Sequence, residues 1–323
     1  MVKSAEKPVF VEISDDRAGQ RIDNFLIGQL KGVPKSRIYR LLRKGEVRVN
    51  KGRIKPDYRL KAGDSVRIPP VRMAPSDQSQ PAIASDSFLT ALKSSVIYED
   101  DNLLVINKPS GMAVHGGSGI KLGVIEALRQ LLPEQHNLEL VHRLDRETSG
   151  CLIIAKKRSA LKSFHDQLRN NDIRKIYVAL VKGVWQGGKQ TVDVPLQKNT
   201  LKSGERIVRV DADGKSAQSI FKPLKTFSNS TLVEVELITG RTHQIRVHAA
   251  HIGHPLAGDE KYGQRGFNLT MKEYGLNRLF LHAKSLEFFS PNTESRIHVV
   301  APLGAELENV LDACEQQSAL ANS

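Results

Sequence analysis

VHRLDRETSG, residues 141–150, sets Arg143, Asp145, Arg146 and Glu147 within five positions. Apolar residues precede the cluster (Leu138, Leu140, Val141) and an apolar run follows it (Leu152, Ile153, Ile154, Ala155). Charges this dense belong on a solvated loop, and the flanking aliphatic residues predict a strand on each side. Upstream, LLVINK (103–108) predicts another strand and Lys108-Pro109-Ser110-Gly111 a turn. Downstream, RSALKSFHDQLRNN (158–171) has the helical period, with Leu161, Phe164 and Leu168 on one side. RKIYVALVKG (174–183) reads as a strand with Tyr177, Ala179 and Val181 on one face, and TLVEVELITG (231–240) alternates Leu/Val with Glu as a half-exposed strand does. RTHQIRVHAAHIG (241–253) predicts a helix with Thr242 as N-cap, Ile245, Ala249 and Ile252 buried and Gly253 at its end. RLFLHAKSLEFF (278–289) is a further strand. Strands dominate and no βαβ alternation persists, so the fold class is α+β, with a mixed, largely antiparallel sheet and flanking helices.

The front of the chain differs. Residues 17–68 read as a compact α/β module. RIDNFLIGQL (21–30) places Ile22, Phe25 and Leu26 at helical spacing. In PKSRIYRLLRKGEV (34–47), Ser36 is the predicted N-cap and Gly45 the stop. Ile38, Leu41 and Leu42 form its apolar stripe, while Arg37, Arg40, Arg43 and Lys44 recur on other faces, so one helix packs a core and presents a basic ridge. VRVNKGRIK (47–55) predicts a short hairpin turning at Asn50–Gly52, and LKAGDSVRIP (60–69) a turn followed by a strand. Residues 73–95 hold two Pro and six Ser without sustained periodicity, which predicts a linker.

The formal charge is +13 over 323 residues, and it is uneven. Residues 1–72 carry 18 Lys+Arg against 8 Asp+Glu, a net of +10; the other 251 residues carry only +3. A basic module on a near-neutral body is a footprint for nucleic acid or an anionic surface, and equally, from charge alone, a solubilising surface. No apolar run approaches the roughly eighteen residues of a membrane span, and the N-terminus has no apolar signal core. Cys151 and Cys314 are too few for a disulfide framework or a cysteine zinc site. These features predict a cytoplasmic protein.

Several chemistries lack their motifs. HGGSGIKLG (115–123) is glycine-rich but has no phosphate-loop spacing. His248, His251 and His254 recur every three residues, but no Cys or carboxylate cluster completes a metal set beside them. Cys151 opens an apolar strand and reads as a buried structural thiol. What remains is one loop carboxylate, Asp145, between Arg143 and Arg146. Flanking cations favour the ionised form, which suits a nucleophile or base better than a proton donor. The other reading is an ion-pair network that ties the loop down. In TGRTHQIRVH (239–248), Arg241 and Arg246 flank a helix start, and His243 and Arg246 share a face. That is an anion site, for a phosphate or for Asp145 itself. Tyr177 is either core or a platform for a base.

SRIYRLLRKGEVRVNKGRIK, with RIDNFL and KAGDSVRIP, resembles the S4 RNA-binding domain. VHRLDRETSGCLIIAKK, RKIYVALVKG and TGRTHQIRVHAAHIGHPLAGDEKYG, led by NKPSGMAVH, resemble the RluA-type pseudouridine synthases, and among them the branch that modifies large-subunit ribosomal RNA. The resemblance implies an S4 domain over 1–72, a linker over 73–95 and a catalytic domain over 96–323. It implies that Asp145 is the essential aspartate, Tyr177 stacks on the target base, Arg246 pairs with the aspartate and Arg143 lies near the flipped nucleotide. Lys108 and Pro109 match the edge of the cleft. With an RNA substrate, Lys108, Arg241, His243 and the ridge of Arg37, Arg40, Arg43 and Lys44 become expected RNA contacts. Uridine becomes pseudouridine by breaking N1–C1′, turning the base and rejoining it through C5. Atoms are conserved and no redox change occurs, so the expectation is no cofactor and no metal. One carboxylate suffices, whether it attacks C1′ or removes a sugar proton, and the target must leave its stack. The expected partner is ribosomal RNA, free or in an assembling subunit, met by a monomer without membrane contact. Open alternatives are a non-catalytic ribosome-assembly factor and a synthase acting on tRNA.

Overall fold

In the computed structural model, residues 7–30, 32–71, 83–116, 122–200, 206–293 and 295–321 are described. The chain divides into two compact units between residues 82 and 83.

The first unit contains β1 (Val9–Glu12), α1 (Ile22–Gln29), α2 (Lys35–Lys44), β2 (Arg48–Val49) and β3 (Ser65–Ile68), with the strands in antiparallel order β1-β3-β2. Ile22, Phe25 and Leu26 of α1 and Ile38, Leu41 and Leu42 of α2 join Val49, Val66 and Ile68 of the sheet in one core. α2 stops at Gly45, whose left-handed φ of 69° favours a residue without Cβ, and the Glu46 N–H returns to the Leu41 carbonyl. Two expectations are corrected. The helix is capped by Pro34 rather than Ser36, because the Pro34 carbonyl already accepts from Arg37 and Ile38. The expected 47–55 hairpin is only a tight turn bridging Val49 and Gly52. Asn50 accounts for this: its side chain bonds Asp64 Oδ1 and the Ser65 N–H and so ties β2 to β3.

The second unit runs α3 (Asp86–Ser94), β4 (Val96–Glu99), β5 (Leu103–Lys108), α4 (Val124–Leu131), β6 (Glu139–Leu140), β7 (Ser149–Ala155), α5 (Arg158–Asn170) and β8 (Arg174–Lys182). It continues β9 (Gln190–Asp193), β10 (Leu196–Thr200), β11 (Arg206–Val210), β12 (Gln218–Thr226), β13 (Ser230–Leu237), α6 (Gln244–His251), α7 (Arg265–Glu273), β14 (Leu281–Phe289), β15 (Arg296–Val300) and α8 (Ala305–Ala321). The stretch read as a linker thus contains a helix, because Ser85 caps the Phe88 N–H and Leu92 is fully buried. The main sheet is ordered β4-β5-β7-β14-β8-β13-β12-β9, with β6 on β7 and β15 on β14. Every pairing in it is antiparallel except β7 with β14. The α+β class and the mixed, largely antiparallel sheet are as the sequence predicts.

β7 is buried at every position, which explains why its run Cys151–Ala155 is wholly apolar instead of alternating. Its parallel contact with β14 pairs Ser149 with His282 and Gly150, φ 107°, with Ala283. A Cβ there would press into the Ala283 peptide, 2.6 Å from its nitrogen. Cys151 lies in this interior, and burial pushes its thiol up to about 12, as suits a structural thiol.

Candidate active site

The loop 141–148 joins β6 to β7, and its backbone is fixed from several sides. Leu144 is buried, and the Thr148 N–H returns to the Asp145 carbonyl. Ser110 Oγ donates to the Glu147 carbonyl at 2.7 Å, and the Gly111 N–H to the Arg146 carbonyl at 2.9 Å. Arg146 turns its Nε to the Gly111 carbonyl. The Lys108 ammonium donates to the carbonyls of Pro109, Met112 and Arg146 at 2.8, 2.9 and 3.1 Å. Lys108 is therefore buried beneath the loop rather than offered to RNA, which corrects its expected role. Burial, helped by Arg278, pushes it down to about 7, against which the three carbonyls favour the charged form. As the last residue of a buried strand, Lys108 turns inward because three peptide oxygens there need donors.

Asp145, Arg143, Tyr177, Arg241, His243 and Arg246 line one cleft. Tyr177 enters it from β8, where it pairs with Val235 of β13. Burial raises the phenol, and Asp145 adds to this, so it stays neutral. Arg143 is exposed, and Arg241 is held by its Nε on the Ser216 carbonyl.

Among the described residues, the cations facing Asp145 stand off from it. Arg246 Nη1 and His243 Nε2 each lie 3.8 Å from its Oδ2, beyond hydrogen-bond reach. The expected pairing of Arg246 with the aspartate is a loose one. Its tight partner is Asp259, reached by Nε and Nη2 at 2.7 Å each. Burial opposes the Arg246 charge, but the bonds to Asp259 raise its pKa overall. Burial likewise works against the Asp259 anion, and Arg246 with the N–H groups of Lys261 and Tyr262 outweighs it. Arg246 also lies 5.0 Å over the Tyr262 ring. Nothing in the sequence singles out Asp259 beyond its place in the matching phrase GDEKYG.

His243, not Thr242, caps α6, in the left-handed region at φ 54°. Gln244 is responsible: its buried amide holds Thr239 Oγ1, the Arg241 N–H and the Gln218 carbonyl, which turns the chain one residue later. Tyr262 fixes the His243 ring. Its hydroxyl accepts from the Val208 N–H, leaving its own proton for His243 Nδ1 at 2.8 Å. Nε2 then carries the ring proton toward Asp145, and burial lowers the pKa, keeping the ring neutral. Arg37 is half-buried, and Arg40, Arg43 and Lys44 are exposed on α2 of the first unit.

Among the described residues, no three His, Cys, Asp or Glu converge as a cation site would require. His248 is committed to Ser219 Oγ and the Val194 carbonyl, and His254 to the Lys182 carbonyl. No helix of the described residues is long and apolar enough to cross a membrane.

A lone carboxylate lies at a cleft lined by arginines and a tyrosine on a mixed sheet, and the same chain carries a small basic unit. The RNA pseudouridylate synthase family model matches residues 102–251, and the S4 domain model matches 20–66. Ribosomal large subunit pseudouridine synthase C of Escherichia coli (strain K12) is 57% identical over 93% of this chain and 95% of its own. The protein of that name from Yersinia pestis is 55% identical over 95% and 96%. Among solved structures, Human RNA Pseudouridylate Synthase Domain Containing 4 is 28% identical, covers 71% of this chain and 96% of its own, and superposes with a TM-score of 0.59. The chain belongs to the RNA pseudouridylate synthase family.

Proposed function

We propose that this chain isomerises uridines of large-subunit ribosomal RNA to pseudouridine with Asp145 as the reacting carboxylate. The observation that carries this is the cleft itself: Asp145 faces it without a hydrogen-bonded cation, and Arg246 is held nearby by a different carboxylate. The carboxylate is left open for a ligand. The ribosomal substrate is supported by the names of relatives more than half identical to this chain.

The target nucleotide leaves its stack and enters the cleft, where Tyr177 offers its ring to the base and Arg143 the space beside it. N1–C1′ breaks, uracil turns in place, C5–C1′ forms, C5 gives up its proton and N1 gains one. Asp145 acts on the sugar, at C1′ or at a neighbouring proton. Arg241, His243 and the ridge Arg37, Arg40, Arg43 and Lys44 hold the RNA backbone. The S4 domain extends over residues 1–72 and the catalytic domain over 96–323, and the protein works as a cytoplasmic monomer.

Asp145→Ala should abolish pseudouridine in large-subunit RNA of cells that carry it as their sole copy, while the purified variant still binds that RNA. Pseudouridine at wild-type level in Asp145→Ala cells sinks the reading. No three His, Cys, Asp or Glu converge among the described residues, so activity should also withstand exhaustive chelation.

A further inference from the structure

Phe10 is 64% exposed, the only phenylalanine of the described residues that faces solvent. It stands in β1 directly opposite Arg67 of β3, which is itself directly opposite Arg48 of β2. Directly paired residues share one face of a sheet, so the three side chains form a row across it. The other face carries Val11, Val66 and Val49 and packs the core, so the row lies on the outer face. Lys44 and Lys51 border the same basin, with Glu46 as its single carboxylate. Both arginines are steadied by backbone: Arg67 Nη1 on the Glu46 carbonyl at 2.8 Å, and Arg48 Nε on the Gly45 carbonyl at 3.3 Å. Among the described residues, none of these four cations has a carboxylate within ion-pair distance.

From this row we infer a second RNA contact of the first unit, a platform on which an unpaired nucleotide stacks on Phe10 while Arg48, Arg67, Lys44 and Lys51 take its phosphates. An exposed aromatic costs solvation unless something covers it, and four unpaired cations around it select a polyanion with flat apolar faces. Single-stranded RNA is the occupant with both properties. The surface shares Lys44 with the end of the α2 ridge but is built on the sheet, and its assignment rests on the RNA-binding reading above.

The test uses the full chain and two probes: a hairpin RNA with an unpaired uridine tail, and the same hairpin blunt-ended. Phe10→Ala should weaken binding of the tailed RNA by about tenfold, the worth of one stacked base, and leave the blunt hairpin within about twofold. Its salt dependence should not change, whereas Arg48→Ala should lower the slope by about one. Phe10→Trp should retain affinity, and its added fluorescence should be quenched by the tailed RNA alone. Unchanged affinity of Phe10→Ala for both probes, with wild type binding normally, overturns the platform and leaves the patch to a protein partner. Failure of the wild type to bind either RNA overturns the RNA reading as well.

Discussion

Arg246 carries the charge nearest Asp145, but Asp259 decides where that charge sits. Asp259→Ala strips a buried guanidinium of its bidentate partner and should cost about 3–5 kcal/mol of stability, read from urea unfolding. Asp259→Asn, which keeps one acceptor, should lower kcat in single-turnover assays while RNA affinity is nearly kept. Equal loss in KM alone would show that Asp259 serves binding rather than position. Two buried histidines make a pH prediction. His248 and His282 each place Nε2 on a carbonyl and Nδ1 on a serine hydroxyl, a pattern that satisfies both nitrogens of a neutral ring. Burial lowers both pKa values. Their folded values lie below the ordinary 6.5, so their contribution is full above about pH 6.5 and is lost as the pH falls through the folded values. Stability should fall in that window by up to about 1.4 kcal/mol per pH unit for each, and His248→Gln should flatten the slope. At this scale the sequence was legible for Asp145, because charges between apolar strands mark a mounted loop. It was illegible for the Arg246 partner, since spacing along a chain does not say which of two carboxylates a guanidinium reaches. Lys108 misled for a related reason, as nothing local distinguishes a lysine that ends a strand outward from one that turns inward.

Elements with strong period were readable: α2, α5, β8 and β13 all lie where their patterns predict. Caps were less so. Ser36 and Thr242 are good cap residues, and each was displaced by a neighbour, the Pro34 carbonyl that opens α2 in one case and the Gln244 amide in the other. α3 leaves little trace in the sequence because its apolar face is short, with only Leu92 fully buried. The parallel β7–β14 pair could not be read either, as it joins segments more than a hundred residues apart, but Gly150 is its local trace. Gly150→Ala should part the two strands at the base of the catalytic loop, with a stability loss of about 2 kcal/mol or more in thermal unfolding and a matching fall in activity. Gly188→Ala, at a glycine whose Cβ would meet nothing within 4 Å, is the control and should be nearly silent.

The molecule is two units, each with its own buried core. Removing residues 1–82 should leave 83–323 folded and able to modify short RNA at high concentration. Affinity for ribosomal RNA should drop, and the salt slope should fall by about one for each phosphate the protein no longer neutralises. An unchanged slope in filter-binding titrations would show that the basic unit does not touch the substrate. The charge asymmetry that suggests this division is plain in the sequence, whereas the arrangement inside the cleft required the fold. The Lys108 ammonium, lashing the 109–112 turn to the 143–147 loop, leaves Asp145 little freedom to travel. All the movement that reaction demands then falls to the RNA. Turnover should track how readily the target helix breathes, so a fixed jaw acts as a clock: a uridine is modified while its surroundings are still loose and is passed over once they have set.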